Sequence, residues 1–230
     1  MKAAALVAAA GAGLRMEAAT RKQYLMLEGL PVLVHSLNLF LRHGAVTEII
    51  VVIPPGEADQ VGGFLESYCS LQKVKLVEGG ASRQESVSRG LCALTAEAEL
   101  VCIHDAARPL ASAGLLDRLL EAAARFGAAV PVIKLNDTVK TVDNEGFVLS
   151  TPQRERLRLV QTPQVFRRDL IIRAYEEARK KSAAATDDSS LVELLGKPVA
   201  TVPGENANLK ITGPGDLLLA SLLLKGASGR

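Results

Sequence analysis

The first 24 residues contain the feature that most limits how this chain can fold. Residues 3–10 are an unbroken run of Ala, Leu and Val, and the run ends in Gly11-Ala12-Gly13. Small and branched apolar residues in a continuous run fit a strand buried on both faces. Glycine lets the following turn bend sharply and lie close to a ligand. Arg15 and Lys22 come next, so the segment predicts a site where backbone N–H groups and cations bind a polyphosphate.

Two common phosphate-binding motifs do not fit this turn. The dinucleotide fingerprint needs a third glycine where the chain has Met16, and the next strand-like run ends in Pro54-Pro55 without an acid to hold a ribose. A P-loop needs Gly-Lys followed by Ser or Thr where the chain has Leu14-Arg15-Met16. A purely structural tight turn stays open as an alternative, although two cations on a segment rich in Ala and Leu disfavour it.

The following residues alternate between strand-like and helix-like patterns. β-Branched and apolar runs predict strands at 48–53, 74–77, 100–103, 128–133 and 199–202. Apolar residues at helical spacing predict helices at 31–43, 57–70, 83–94, 115–126, 168–181, 187–195 and 213–224. This alternation predicts an α/β fold with a Rossmann-like, mostly parallel sheet and helices on both faces. We expect one domain over residues 1–230.

The alternation breaks between residues 136 and 164. Asp143-Asn144-Glu145-Gly146 is a turn signal between residues 138–142 and 147–149, and this pattern predicts a hairpin. We therefore expect a protruding β-arm at about residues 136–164. Its strands carry Val and Phe side chains that are too apolar for a free loop, and an isolated hairpin is marginal in water. Pairing with a twofold copy would cover them, so the arm predicts a homodimer.

Composition narrows the possible classes of function. The chain has 27 basic and 25 acidic residues, and a net charge of +2 is too balanced for a nucleic-acid or membrane-surface partner. No apolar stretch reaches the ~18 residues of a membrane helix. Glycines and Arg15 interrupt the N-terminal apolar run, which argues against a signal peptide. Cys69, Cys92 and Cys102 lack metal-site spacing and are expected to be reduced thiols. We expect a cytoplasmic protein.

Polar or glycine-rich residues follow several predicted strands. In open α/β sheets, ligands bind beyond the carboxyl ends of the strands, and Gly11-Ala12-Gly13, Gly79-Gly80, Asp105 and Asp137-Thr138 all fall at such ends. Asp105 taken alone also fits a helix or turn cap. We interpret His104 as a packed or capping residue rather than a base, because a phosphate monoester, with a second pKa of about 6, is already nucleophilic.

The N-terminal motif resembles a known signature. Ala9-Ala10-Gly11-Ala12-Gly13-Leu14-Arg15-Met16, followed by Lys22-Gln23-Tyr24, is similar to the nucleotidyltransferases that activate sugar and polyol phosphates. Within that superfamily the chain most resembles the 2-C-methyl-D-erythritol 4-phosphate cytidylyltransferase family of the non-mevalonate isoprenoid pathway. Residues 104–109 (His-Asp-Ala-Ala-Arg-Pro) and 208–212 (Asn-Leu-Lys-Ile-Thr) carry the same resemblance, which covers essentially the whole chain. Leu14, where a basic residue is expected, and Asp188, where Glu is expected, depart from it.

The resemblance implies cytidylyl transfer from CTP to 2-C-methyl-D-erythritol 4-phosphate, with Mg²⁺ held mainly by the phosphates and Asp105 as a candidate contact to its shell. It implies that Arg15 and Lys22 are catalytic and stabilise charge in the transition state. It implies nucleotide binding by Ala9, Ala10, Gly11, Ala12, Gly13, Gly80, Ser86, Asp105 and Ala106. It implies binding of the polyol phosphate by Arg108, Thr138, Arg154, Thr162, Thr186 and Lys210.

Further implications concern base recognition and assembly. The loop at Gly80 would read the amino edge of cytosine, a donor where uracil has an acceptor. The arm would reach a neighbouring subunit, and Arg154 would serve the partner's Lys22. A ribitol 5-phosphate cytidylyltransferase shares these motifs and stays open, as does a more distant sugar-nucleotide pyrophosphorylase. A non-catalytic nucleotide-binding module is disfavoured, because it would not need both Arg15 and Lys22.

Overall fold

A computed structural model gives the fold and describes residues 1–11, 21–95 and 97–228. Within these ranges the strands are β1 (Ala3–Ala8), β2 (Met26–Leu27), β3 (Leu30–Pro31), β4 (Val46–Ile53), β5 (Val74–Glu78), β6 (Leu100–Asp105), β7 (Ala128–Lys134), β8 (Thr141–Val142), β9 (Val148–Ser150), β10 (Arg158–Val160), β11 (Gln164–Arg167) and β12 (Ala200–Pro203). The α-helices are α1 (Val32–Leu41), α2 (Ala58–Glu66), α3 (Arg83–Cys92), α4 (Ala113–Phe126), α5 (Arg168–Lys180), α6 (Asp188–Leu194) and α7 (Pro214–Ser228).

Eight of the strands in the described ranges form the central sheet. Seven follow the order β10-β7-β11-β6-β1-β4-β5, and β12 also pairs with β7. Neighbours are parallel in β6-β1-β4-β5 and in β7-β12, whereas β10 and β11 run antiparallel to β7, and β11 also to β6. The predicted mostly parallel α/β sheet is confirmed.

The N-terminal strand β1 lies near the middle of the sheet and is buried on both faces. Ala3, Ala5 and Val7 belong to the core cluster that α1, α2 and α4 cover. Ala4 and Leu6 point the other way, into the cluster that α3, α5 and α6 cover. This two-sided burial explains why the strand is a continuous apolar run rather than an alternating one, and it confirms helices on both faces.

The register of the parallel strands brings their carboxyl ends to one level. Ala8 of β1 lies opposite Asp105 of β6 and Val52 of β4. The residue after β1 is still hydrogen-bonded to β4, since the N–H of Ala9 donates to the carbonyl of Val52 (2.8 Å). The segments that leave β1, β5 and β6 therefore lie side by side at one edge of the sheet.

The arm agrees with its prediction only in part. The hairpin β8-β9 is confirmed, with Thr141 opposite Ser150. The prediction that the arm continues to residue 164 is wrong, because β10 has returned to the central sheet, where Arg158 lies opposite Lys134 of β7. Strands β10 and β11 and the short pair β2-β3 were not predicted. They are only two to four residues long, so they carry too little periodicity to detect.

Two features bear on the expectations from composition. Cys69, Cys92 and Cys102 are all free thiols, and burial raises the pKa of Cys102 to about 12, so that thiol stays protonated. Across the described ranges, no helix is long and apolar enough to cross a bilayer.

Helix α3 packs on the sheet through a glycine, and this gives a stability prediction. A Cβ on Gly90 would come within 2.6 Å of Leu6 Cδ1 and 2.9 Å of Val52 Cγ2, both in the core. Gly90→Ala should therefore destabilise the protein by roughly 1–3 kcal/mol, the usual cost of overpacking, although Ala favours a helix. Urea unfolding followed by intrinsic tyrosine fluorescence or by circular dichroism gives the free energy of unfolding.

The matched control lies in helix α2. A Cβ on Gly63 would meet nothing within 4 Å, so Gly63→Ala should stabilise by up to ~1 kcal/mol through helix propensity alone. Equal effects of the same sign at both glycines would show that close packing of α3 is not what requires Gly90.

Candidate active site

A cleft of about 370 Å³ opens at the carboxyl ends of β1, β5 and β6. Much of its wall is small residues, which leave room for a ligand beside the backbone. The predicted site residues that line it are Ala9, Ala10, Gly11, Lys22, Gly80, Ser86, Asp105, Ala106 and Lys210. Ala12, Gly13 and Arg15 lie outside the described residues, so their predicted roles stay predictions.

One wall of the cleft is the loop 79–81 between β5 and α3. Arg89 donates to the first carbonyl of the loop (2.8 Å) and the Ser86 hydroxyl accepts from its second N–H (3.0 Å). Glu85 accepts from its third N–H (2.9 Å). Three side chains of α3 therefore hold the loop, and Ser86 lines the cleft while doing so.

The first glycine of that loop is required by packing. A Cβ on Gly79 would lie 2.6 Å from Ala10 Cβ and 2.7 Å from Ser86 Oγ. Only glycine allows the loop to lie this close to the segment that leaves β1. The Gly79-Gly80 pair therefore has a structural cause as well as a place at the cleft.

Lys22 belongs to a short 3₁₀ helix that spans Lys22–Tyr24. The next side chain, Gln23, is buried, and its Nε2 donates to the carbonyl oxygens of Ala9 (2.7 Å) and Gly11 (3.3 Å). The helix is thereby tied to the segment that follows β1, which brings Lys22 to the wall of the cleft. Sequence reasoning did not assign Gln23 a role, although it stands inside the recognised motif.

Asp105 ends β6 and is bound on both carboxylate oxygens. Oδ1 accepts from Arg83 Nε (3.3 Å) and Oδ2 accepts from Lys210 Nζ (2.7 Å). Burial by itself would raise the pKa of Asp105, but the charges of Arg83, Lys210 and Arg108 outweigh it and hold the pKa well below its usual value. Asp105 is therefore an anion in the cleft wall that is already paired with cations.

Arg83 has a second and stronger partner in Asp188, which begins α6. Its two terminal nitrogens donate to the two carboxylate oxygens of Asp188 (3.0 and 2.8 Å). Asp188 is fully buried and also accepts from the Tyr175 hydroxyl. Burial disfavours the charged form of Arg83, but Asp188 and Asp105 outweigh burial and raise its pKa. The sequence analysis placed Arg83 within the base-reading loop without a role of its own, missed Tyr175, and noted Asp188 only as a departure.

His104 is a buried structural residue, as predicted. The carbonyl of Arg108 can only accept, so Nε2 carries the proton and donates to it (3.0 Å). Nδ1 then accepts from the Thr162 hydroxyl (3.0 Å), and that hydroxyl accepts from the Asp105 N–H (3.0 Å). Burial lowers the pKa of His104 to about 4, so the ring is neutral at neutral pH and both of its nitrogens are engaged.

Two of the predicted substrate ligands support the cleft from behind. Thr162 is buried and holds the backbone of Asp105. Arg108 donates to the carbonyl of Asn208 (2.8 Å), and the buried amide of Asn208 donates to the carbonyl of Thr162 (2.8 Å). Together these contacts fix the segment that presents Lys210. The structure thus gives Thr162 and Arg108 positioning contacts, and neither is among the residues that line the described part of the cleft.

Three other predicted ligands lie apart from the cleft. Thr138, Arg154 and Thr186 are exposed, and none is among the described residues of its wall. Thr138 precedes the arm, and Arg154 follows it and donates to the carbonyl of Asn136 (2.6 Å). Thr186 directly precedes Asp187, which caps α6.

A protein-built metal site is not apparent in the described residues. They contain no group of three or more His, Cys, Asp or Glu side chains that could hold a metal ion. Asp105 is the one acidic residue in the described part of the cleft wall, and both of its oxygens are bound by cations. Each oxygen keeps a further lone pair, so the predicted contact of Asp105 with a Mg²⁺ shell stays a prediction.

Comparison with known proteins gives one consistent family. Residues 3–226 match the family model described as 2-C-methyl-D-erythritol 4-phosphate cytidylyltransferase. A protein of that name from Pelotomaculum thermopropionicum is 48% identical over 230 residues, covering 100% of this chain and 97% of the relative. A crystal structure of the enzyme of that name from Thermus thermophilus is 39% identical, with a TM-score of 0.80. The match covers 98% of this chain and 100% of the Thermus chain. The crystal structure of the 4-diphosphocytidyl-2C-methyl-D-erythritol synthase of Anaerococcus prevotii is 34% identical, with a TM-score of 0.85. The match covers 97% of this chain and 96% of the Anaerococcus chain.

Proposed function

The chain belongs to the 2-C-methyl-D-erythritol 4-phosphate cytidylyltransferase family, and we infer that it transfers the cytidylyl group of CTP to 2-C-methyl-D-erythritol 4-phosphate. The observation that carries the assignment to this cleft is its lining: Lys22 and Lys210 stand among small residues at the carboxyl ends of parallel strands. Such an arrangement suits a nucleoside triphosphate and a second phosphate.

The chemistry needs positioned charge more than acid–base groups. A phosphate oxygen of the polyol phosphate attacks the α-phosphorus of CTP, the bond between the α-phosphorus and the bridging oxygen breaks, and pyrophosphate leaves. The attacking monoester is mostly dianionic at neutral pH and needs no base, which agrees with a buried, neutral His104. We assign Lys22 to the charge that develops on the phosphates. Arg15 has the same predicted role.

The two substrates have separate supports in the cleft. The loop 79–81 is held by three side chains of α3, so its backbone and Ser86 are fixed for reading the cytosine edge. Lys210 stands beside Asp105 and is assigned to the phosphate of the polyol substrate. A Mg²⁺ ion would be carried by the triphosphate oxygens and water, and when bound it supplies neutralisation of the phosphate charge.

The substrate assignment predicts the outcome of a direct assay. Pyrophosphate release should be fastest with CTP and 2-C-methyl-D-erythritol 4-phosphate, and it should need Mg²⁺, because the described residues alone offer few cations for a triphosphate. Each nucleoside triphosphate is paired with each polyol phosphate, and pyrophosphate is measured by a coupled assay. Faster release with ribitol 5-phosphate, or with UTP in place of CTP, would contradict the assignment.

The exposed arm supports a homodimer. Val142, Phe147, Val148 and Leu149 are 55–68% exposed on β8-β9 and the turn between them. Apolar side chains in such a contiguous group mark an interaction surface, and an isolated two-stranded hairpin is marginal in water. We propose that a twofold copy covers the arm, and that Arg154 at its base completes the partner subunit's cleft.

A subunit-mixing experiment tests this shared site. Lys22→Ala and Arg154→Ala should each be nearly inactive; for Lys22 we expect kcat to fall by roughly 10²-fold or more, the usual loss for one charge-stabilising donor. After the two variants exchange subunits, half of the dimers are mixed and each mixed dimer has one intact site. About a quarter of wild-type activity should return by the symmetry of a twofold interface.

Subunit exchange needs its own control. Differently tagged subunits and native mass spectrometry show when mixed dimers have formed, and sedimentation velocity gives the oligomeric state before mixing. Activity that stays flat after exchange is complete would place Lys22 and Arg154 in the same chain's site. A monomer in sedimentation would overturn the dimer itself.

A further inference from the structure

We propose that Arg83 is a positioning residue that holds Asp105 in place so that the Lys210 ammonium is presented to the cleft. The proposal rests on the proposed function only for the identity of the phosphate that Lys210 binds. Arg83 itself lines the cleft, although the sequence analysis gave it no role of its own. It has two carboxylate partners, the buried Asp188 and Asp105 in the cleft wall.

The anchor of Arg83 is rigid. Both terminal nitrogens bind the fully buried Asp188 in the two-pronged geometry that suits a guanidinium and a carboxylate. Tyr175 from α5 donates to the same carboxylate. Each terminal nitrogen donates to Asp188, and Nε is the guanidinium nitrogen that donates to Asp105 Oδ1 (3.3 Å).

The contact between Arg83 Nε and Oδ1 decides the orientation of Asp105. Its other oxygen, Oδ2, is 2.7 Å from Lys210 Nζ, so the carboxylate is stretched between two cations. Without the hold on Oδ1, the carboxylate could turn and offer both oxygens to Lys210. Lys210 would then be drawn onto Asp105 and would be less available to a phosphate in the cleft.

A purely structural role for Arg83 is the alternative, and it makes a different prediction. An unpaired buried carboxylate is strongly destabilising, so Arg83 could serve only to neutralise Asp188. In that case, removing both charges together should restore a normal enzyme. If Arg83 positions Asp105, removing both charges should restore the fold but leave the polyol-phosphate site defective.

The decisive variant is therefore the double substitution Arg83→Met/Asp188→Asn. It removes one positive and one negative charge, so the net charge does not change, and the asparagine oxygen can still accept from the Tyr175 hydroxyl. Tyr175→Phe is the matched control, because it removes a contact to Asp188 and leaves the contact between Arg83 and Asp105 in place. Both proteins are compared with the wild type by urea unfolding and by steady-state kinetics.

For the double variant we expect a folded protein whose KM for 2-C-methyl-D-erythritol 4-phosphate is raised about tenfold or more, as expected when a charge-assisted contact is lost. Its KM for CTP should change much less, because the loop 79–81 is held by other side chains. Tyr175→Phe should lower resistance to urea without raising either KM. A folded double variant with wild-type KM values, or a Tyr175→Phe variant with the same KM defect, would overturn the proposal.

A second readout does not depend on the substrate. If the wild type releases no pyrophosphate with this substrate pair, the proposed function is wrong, and the rate of Lys210 acetylation by acetic anhydride then decides the positioning role. Mass spectrometry should find Lys210 labelled more slowly in the double variant than in the wild type, relative to exposed Lys197, because Asp105 has closed on it. Equal labelling rates would overturn the proposal on their own.

Discussion

Asp105 is bound at once by two cations that reach it from distant parts of the chain. Arg83 comes from the start of α3 and Lys210 from the segment after β12. A carboxylate buried this deeply is costly unless it is paired and hydrogen-bonded. The two ion pairs that stabilise Asp105 therefore join the start of α3 and the segment after β12 to the end of β6, where all three form part of the cleft wall.

A layer of neutral polar contacts keeps this cluster in place. The Thr162 hydroxyl links the backbone of Asp105 to the ring of His104, and Asn208 ties the segment carrying Lys210 to the carbonyl of Thr162. A charged imidazole beside Arg108 would add an unfavourable cation, and burial keeps the pKa of His104 low enough to avoid it. Charge is thus placed in the wall of the cleft, while the side chains of Thr162, His104 and Asn208 behind it stay neutral.

Local sequence pattern was enough to predict the fold and the parts of the cleft wall that the segment after β1 and the loop 79–81 form. The strand at Ala3–Ala8 is buried on both faces and is therefore apolar at every position. The glycine pair at 79–80 is visible as a turn after a strand, although part of the packing that requires Gly79 is with Ala10, which is distant in the sequence. The ion pair of Arg83 with Asp188 joins residues 105 positions apart, and no local pattern reports such a contact. Thr162 was predicted to touch substrate, which stays a prediction, and the structure adds that its hydroxyl bonds the backbone of Asp105 and the ring of His104. Residue type and motif alone do not report such supporting contacts.

The protonation of Asp105 is the most direct test of the paired-carboxylate account. Its side-chain carbon can be followed by ¹³C NMR from pH 7 to pH 4, with the signal assigned by its loss in Asp105→Asn. An ordinary aspartate, with a pKa of about 3.9, would be nearly half protonated at pH 4. Because Arg83 and Lys210 hold the pKa of Asp105 below its usual value, its signal should stay at the ionised position across the whole range. A signal that moves toward the protonated position by pH 4, as that of an ordinary aspartate would, would show that the two cations do not hold Asp105 and would contradict the account.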